Sequence, residues 1–347
     1  MPRIAYWCSS FRPDIEAVAA EVACLRAAFP KNVAWGVSQR DRLRLSWRNG
    51  FCIRPGMQTL FRAATWLAQR AFDINHLYGS LGDWFHLRAL RQHPAILTMA
   101  VPASPCPPAM LEKIDRFVAE WPSGRDALAR VGIEPDKIRL IFPPVDLKRF
   151  RPGPPLGPPF RALFATSPDQ AAWLESRGVH LILEAARLRP DIRFRLVWRP
   201  WGDSLSRLKR WLDDCRLSNV ELVVGRIRNM QWHYQQSHVT LAPFTRSDQG
   251  KAMPNSLLES LACGRAVIVT DQVGLAPFVE EGGAGIVCSP SGEALAAALD
   301  AIQADWPVYS RRARALAEQR FGVETFLRSY ARLYEELLSP GLRVEKT

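Results

Sequence analysis

Short apolar runs and helical periods alternate along this chain in two successive series, and that alternation is the strongest constraint on its fold. In the first series "RIAYWCSS" opens as a strand, and "DIEAVAAEVACLRAAF" follows with helical periodicity and stops before Pro30. "NVAWGV" is a second strand, "FDINHLYG" a strand end, "LGDWFHLRALRQH" a helix and "PAILTMAV" a strand. "RFVAEWPSGRDALARVG" reads as strand, turn and helix, with Ser123 as N-cap and Gly132 as C-cap, and "KIRLIFPP" closes the series as a strand. The second series repeats the logic. "RALFATS", "IRFRLVWRP", "VELVVGRI", "HVTLAPF" and "AVIVTD" read as strands, and "GVHLILEAARLRP", "SLSRLKRWLDDC" and "GEALAAALDAI" as helices. "RRARALAEQRFGVETFLRSYARLYEELL" ends the chain in helical period. Such alternation demands crossover connections and therefore parallel sheets.

Between the two series lies "VDLKRFRPGPPLGPPF", dense in proline and glycine, which reads as an interdomain linker. The expectation is an α/β protein of two Rossmann-like doubly wound domains facing a cleft, spanning 1–152 and 153–325, with a closing helix over 326–347 that crosses back to the first domain. A length of 347 residues suits two domains. In sheets of this kind ligands bind beyond the carboxyl ends of the strands. No short internal period is present, which excludes solenoids.

The formal net charge of +12 calls for an anionic partner: nucleic acid, an anionic membrane surface or a phosphorylated ligand. The densest basic run holds Arg40, Arg42, Arg44, Arg48, Arg54, Arg62 and Arg70 against a lone Asp41, with Trp47, Phe51, Leu60, Phe61, Trp66 and Leu67 interleaved. Within it "QTLFRAATWLAQRAF" sets Leu60, Ala64, Leu67 and Ala71 on one helical stripe. That stripe suits either the core of the first domain or a membrane surface touched through Arg62, Trp66 and Arg70. The cations recur at loop ends rather than along one face, which disfavours nucleic acid. "MPRIAYWCSS" lacks the apolar run of a secretory signal, no stretch is long enough to span a bilayer, and the seven cysteines show no C-x-x-C spacing. These features fit a cytoplasmic protein, peripheral on the inner face of the cytoplasmic membrane if the basic stretch touches it.

The most informative stretch is "KAMPNSLLESLACGRAVIVT", Lys251 to Thr270. It reads as a polar loop, a short helix and a buried strand. Ser256-Leu-Leu-Glu259 has the form of a capping box, so Glu259 could simply close the helix start. Equally, a helix beginning at the carboxyl edge of a sheet offers free N–H groups and a positive dipole end, a site for phosphate or pyrophosphate. The residues alone leave both open.

The same stretch resembles the nucleotide-sugar site of retaining glycosyltransferases with the GT-B fold, in the large family four (glycosyl transferases group 1). "MPNSLLES" followed by "LACGRAVIVTDQVGLAPFVEEGGAGIV" is similar to that family's donor helix and the strand beyond it. "KIRLIFPPVDLKRFRP" resembles its interdomain segment, "RGVHLILEAA" its pyrophosphate-contacting helix start, "VELVVGRI" its nucleobase loop and "FLRSYARLYEELL" its last helix. The resemblance covers the chain from about Asp73 onward and is weak before it. It implies that Glu259 binds the donor ribose, that Asn255, Ser256 and Leu257 hold the pyrophosphate, and that Arg177, with Arg199, touches it. It places Arg226 and Ile227 at the base.

Three departures stand out. Lys251, eight positions before Glu259, takes the place of a glutamate that in the family contacts the transferred sugar. A lysine accepts no hydrogen bond from a sugar hydroxyl when charged, but it neutralises phosphate. "FRPDIEAV" lacks the glycine pair of the family's first loop, and "AILTMAVPAS" lacks its histidine. His76 is the better substitute and His86 the poorer. The implied activity is metal-independent transfer of a sugar, with retention, from a nucleotide sugar to a carbohydrate or lipid-linked acceptor in cell-envelope or exopolysaccharide biosynthesis. No cofactor and no metal are expected, since no D-x-D motif is present. The alternative is a catalytically degenerate nucleotide-sugar-binding protein.

Overall fold

The computed structural model describes residues 1–8, 16–37, 44–46, 50–53, 58–80, 88–102 and 106–339. The chain divides into two compact units, one formed by Met1–Pro143 with the chain from Glu324 onward, the other by Pro144–Val323. Among the described residues the first unit carries an eight-stranded sheet. Its strands are β1 (Ile4–Cys8), β2 (Asn32–Val37), β3 (Arg44–Ser46), β4 (Gly50–Ile53), β5 (Ile74–Gly79), β6 (Ala95–Met99), β7 (Arg116–Ala119) and β8 (Ile138–Leu140). They lie in the order β3-β4-β2-β1-β5-β6-β7-β8. All pair in parallel except β3, which runs antiparallel to β4. β1 is buried along its whole length, as a central strand covered on both faces must be.

The closing helix Val323–Leu338 packs on this first sheet. Phe326, Tyr330, Leu333, Tyr334 and Leu337 fall three or four apart, forming one apolar stripe against Ile4, Tyr6, Ile74, Ile96 and Val118. The last stretch, expected as one helical run, is two helices, Trp306–Arg320 and Val323–Leu338. The break has a local cause. Gly322 bridges Val145, and the Val145 N–H donates to the Phe321 carbonyl at 2.7 Å.

The second unit carries β9 (Arg161–Phe164), β10 (Arg193–Trp198), β11 (Val220–Val224), β12 (Val239–Ala242), β13 (Ala266–Val269) and β14 (Gly285–Val287). All are parallel, in the order β11-β10-β9-β12-β13-β14. Counted from β9 this is the 3-2-1-4-5-6 doubly wound order, and it reverses between β9 and β12. The core fills both faces with Phe164, Ile182, Phe194, Leu196, Leu241, Ile268 and Leu299.

Four local expectations change. The helix after β7 runs Pro122–Arg130 with Trp121 as N-cap, not Ser123, because proline suits the first helical position. Gly132 does follow that helix with φ at 90°. The segment expected as a linker is packed into the second unit: Phe150 is buried and the Arg151 carbonyl accepts from Gln235 Nε2 at 2.8 Å. The division therefore falls after Pro143 and Val323 rather than after 152 and 325. Strand β14 was not expected. Its backbone passes so close to β13 that a Cβ on Gly285 would sit 1.9 Å from the Val267 carbonyl oxygen, so the strand is held by main chain where no apolar run announces it.

Candidate functional site

The helix Asn255–Ala262 opens at the carboxyl edge of the second sheet, after the loop that leaves β12. Pro254 is its N-cap, with φ −62° and ψ 130°, and no side chain caps it. The helix therefore starts two residues before the capping-box expectation, which makes Ser256 the N-cap. Ser256 lies inside the first turn, where its Oγ is buried without a hydrogen-bond partner, and Asn255 Oδ1 is likewise unpartnered. The Leu257 N–H turns back to the Pro254 carbonyl at 3.0 Å, and the Leu257 side chain is core. The capping box does not form, which leaves the Glu259 carboxylate available for other work.

Glu259 instead accepts a hydrogen bond from the Tyr234 hydroxyl at 2.8 Å. Burial raises its pKa to about 7, opposed by that hydrogen bond and by the charges of Arg149 and Arg199. Tyr234 is buried on the helix Met230–Gln235 and packs edge-on to Phe150 at 6.1 Å between ring centroids. Arg199 follows β10. Its N–H donates to Ser167 Oγ at 3.3 Å, its guanidinium lies 5.3 Å from the Trp201 ring centre, and its charge acts on both Glu259 and Tyr234.

A second group of donors converges from the loops beside β9 and β12. Arg177 ends the short helix Trp173–Ser176 and is 8% exposed, with its guanidinium 4.4 Å from the centre of the Phe244 ring. Its Nε has no hydrogen-bond partner. Burial lowers its pKa to about 10 against the pull of Asp169. The guanidinium passes over Gly250, whose φ is +71°; a Cβ there would lie 1.9 Å from Arg177 Nη2. Lys251 is the next residue, half-buried, and desolvation holds its amine well below the usual lysine value. The expected extra cation is thus a weakened one, whose charge an anionic neighbour would restore. Thr166, just past β9, adds a buried hydroxyl with no partner. Buried Ser256 and Thr166 hydroxyls and an Arg177 Nε without partners, a helix start and arginine charge at a topological switch point are chemistry suited to an anionic ligand.

The other expected residues fall differently. Arg226 is exposed and Ile227 half-buried on the loop after β11. His76 is corrected. It is fully buried in β5, with Nδ1 bonded to the Tyr334 hydroxyl at 2.9 Å and Nε2 to Thr98 Oγ1 at 2.8 Å. Burial alone lowers its pKa to about 3. A neutral histidine with both nitrogens engaged is a core residue, not a proton carrier. His86, Trp47, Arg40, Arg42, Arg48, Arg54 and most of the first loop lie outside the described residues. Tyr234, Arg149 and Thr166 were not expected, since nothing in their own segments marks them.

The apolar stripe is also corrected. Among the described side chains of the helix Gln58–Ala68 and the turn after it, Thr65 and Gln69 are buried, while Leu67 is 66% and Trp66 47% exposed. Gln69 explains the inversion: its side chain donates to the Trp66 and Ala89 carbonyls and accepts from the N–H groups of Arg91 and Gln92. Arg70 stacks on Trp66 with its guanidinium 5.3 Å from the ring centre. No helix of the described residues is long and apolar enough to cross a membrane. Among them no group of three or more His, Cys, Asp or Glu could hold a metal ion.

A family model described as glycosyl transferases group 1 matches residues 171–305. The chain is 26% identical over 248 residues to the D-inositol 3-phosphate glycosyltransferase of Streptomyces bingchenggensis, covering 65% of this chain and 53% of that protein. The matched region thus spans about half of that relative's length. The structure is similar to Anabaena HepE in complex with UDP-glucose, with a TM-score of 0.78 at 14% identity over 97% of this chain and 100% of that one. It is also similar to sucrose-phosphate synthase from Thermosynechococcus elongatus, with a TM-score of 0.76 at 18% identity over 96% and 99% of the two chains. The segment that builds the helix start, Lys251 and Glu259 thus matches the model of the glycosyl transferases group 1, and the chain has the two-domain α/β (GT-B) fold of those structures.

Proposed function

We propose that this protein transfers a sugar, with retention and without a metal ion, from a nucleotide-diphosphate sugar to a carbohydrate or lipid-linked acceptor in cell-envelope or exopolysaccharide biosynthesis. The observation that carries the reading is Glu259, held by Tyr234 beside Arg199 on the helix whose first turn leaves Ser256 Oγ and Asn255 Oδ1 unpartnered. A carboxylate so placed accepts hydrogen bonds from ribose hydroxyls. The helix start, Arg177 and Lys251 take the diphosphate, with Arg226 and Ile227 beside the base. When the sugar–phosphate bond breaks, negative charge grows on the diphosphate and positive charge on the sugar ring. Preorganised arginines and helix N–H groups stabilise the former without rearrangement. Arginine suits this work because its planar fork grips two phosphate oxygens at once. A structural neighbour bound to UDP-glucose supports a nucleotide-sugar donor. The exposed Trp66, Leu67 and Arg70, with the half-buried Arg62 one turn before them, support an anionic membrane surface as the place where a lipid-linked acceptor is met.

A panel of UDP, GDP, ADP and their sugar conjugates in thermal unfolding tests this reading. A ligand confined to the folded state stabilises it by about 2.7 kcal/mol at a hundredfold excess over Kd. One nucleotide class should raise the midpoint, and its sugar conjugate should then be consumed with a suitable acceptor. No shift with any nucleotide would overturn the proposal. Binding without turnover would favour a degenerate nucleotide-sugar-binding protein, for which Lys251 in place of a glutamate that contacts the transferred sugar and the buried His76 are the supporting observations.

A further inference from the structure

At the opposite, amino-terminal edge of the second sheet lies a cavity of about 240 Å³, lined by the starts of β9, β10 and β11. Three arginines define it. Arg161 and Arg193 are register partners on neighbouring parallel strands, so their side chains leave the same face of the sheet about 5 Å apart at the backbone. Arg195, two residues along β10, projects from that face as well. Like charges at paired positions repel, and a sheet tolerates them only where something offsets the charge.

The groups on hand offset it in part. Glu221, the register partner of Arg195, accepts from Arg195 Nε at 2.8 Å, and Arg195 also lies 5.4 Å from the Trp232 ring centre. Arg193 Nη1 donates to the Ser218 carbonyl at 3.2 Å, which satisfies a donor but neutralises no charge. Arg161 Nη1 is buried with no hydrogen-bond partner. Three guanidinium groups against one carboxylate leave two positive charges at the cavity wall. A buried guanidinium donor facing no acceptor is costly unless a ligand supplies one.

We infer that this cavity is a second anion site, for a small phosphate-bearing molecule, built from Arg161, Arg193 and Arg195. Phosphate fits the arrangement because arginine forks match its oxygens in pairs, and two positive charges match a phosphomonoester dianion. The volume is many times the roughly 30 Å³ share of one water and below the range of nucleotide-sized pockets, which admits inorganic phosphate or a phosphorylated sugar. The six residues of β10 run between this edge and Arg199, about 17–20 Å, so the site is separate from the one around Glu259. It stands independently of the donor proposal.

Calorimetric titration of the intact chain with inorganic phosphate and with glucose 6-phosphate, at constant ionic strength, tests the assignment. Both should bind, and Arg193→Gln should weaken binding at least tenfold while leaving UDP affinity and the unfolding midpoint in place. Arg193 is exposed, so its variant keeps the fold; Arg161→Gln is the second variant and should lose binding more completely. Stronger binding of glucose 6-phosphate would assign a phosphorylated sugar, and equal binding free phosphate. Saturating UDP should not displace either ligand. Full competition by UDP, unchanged affinity in both variants, or no binding at millimolar phosphate would overturn the inference.

Discussion

Tyr234 donates its hydroxyl to Glu259 Oε2 at 2.8 Å, and this bond orients a carboxylate that the start of its own helix does not use. Hydrogen bonds to charged acceptors contribute about 1.5–3 kcal/mol. Tyr234→Phe should therefore lower sugar transfer by about tenfold to a hundredfold while the chain stays folded. Steady-state kinetics with the donor found in the nucleotide panel would check it, and wild-type rates would remove Tyr234 from the site.

Glu259→Ala separates support of the fold from binding. Because no capping box forms, the substitution should leave the helix in place and cost only the Tyr234 hydrogen bond, about 1–3 kcal/mol, while it reduces transfer by about a hundredfold or more. A large loss of stability with donor affinity retained would return Glu259 to a structural role.

The pKa of Glu259, near 7, makes donor binding pH-dependent. The group is raised, so it is protonated below pH 7 and becomes a full acceptor above it. Affinity for a nucleotide sugar, whose diphosphate does not titrate in this range, should tighten by about tenfold from pH 6 to pH 8 with a midpoint near 7. Glu259→Gln should flatten the profile; a wild-type profile already flat would mean that the carboxylate does not meet the ligand.

Gly250 and Arg177 form a matched pair. A Cβ at Gly250 would strike Nη2 of Arg177, and φ of +71° is a conformation that side chains resist. Gly250→Ala should cost about 1–3 kcal/mol through backbone strain and push the guanidinium off Phe244. Donor affinity should fall by an amount close to that of Arg177→Gln. Crystallography of the variant with Arg177 unmoved would defeat the pairing.

The first unit carries a titration of its own. The Tyr78 hydroxyl lies 3.0 Å from Glu21 Oε2 and 2.9 Å from Glu120 Oε1, all three groups buried. One hydroxyl proton cannot serve two carboxylates, and burial raises the pKa of Glu120 to about 8. Folded Glu120 thus keeps its proton while the unfolded chain loses it above about 4.5. The stability it contributes is fully present below that value and is lost as pH rises toward 8, by up to about 1.4 kcal/mol per unit. Denaturant unfolding of Glu120→Gln should show a weaker decline between pH 6 and pH 8 than wild type does.

Much of the second unit was legible because its strands are short, doubly covered and rich in Val, Leu, Ile and Phe, each bounded by a helix of clear period. β14 escaped because Gly285 holds it by backbone approach, and β3 and β4 because they interrupt an arginine-rich stretch. The S-x-x-E pattern around Ser256 misled, since the N-cap is Pro254, two residues earlier, and that removes the box. Glu259 stands out in the sequence by its position, but its partner Tyr234, 25 residues away, does not, because only the fold brings the two together. His76 shows the converse. A histidine in a strand looks the same in sequence whether it faces solvent or, as here, four tyrosines and a threonine.

Arg62, Trp66 and Arg70 stand four residues apart and so share one face, with Leu67 beside them. Gln69 and Thr65 hold the other side to the protein, so the face that exposes Trp66, Leu67 and Arg70, with Arg62 half-buried at its edge, is basic and apolar at once, the combination that anionic headgroups favour. Each basic residue near such a surface contributes about 1 kcal/mol, and reversing two of them should weaken binding by at least about tenfold. Arg62→Glu with Arg70→Glu should reduce cosedimentation with phosphatidylglycerol vesicles accordingly, and Trp66→Ala with Leu67→Ala should reduce it further at high salt, where the apolar contribution dominates. Equal cosedimentation of wild type and both double variants, or none by the wild type, would show that this face meets something other than a membrane.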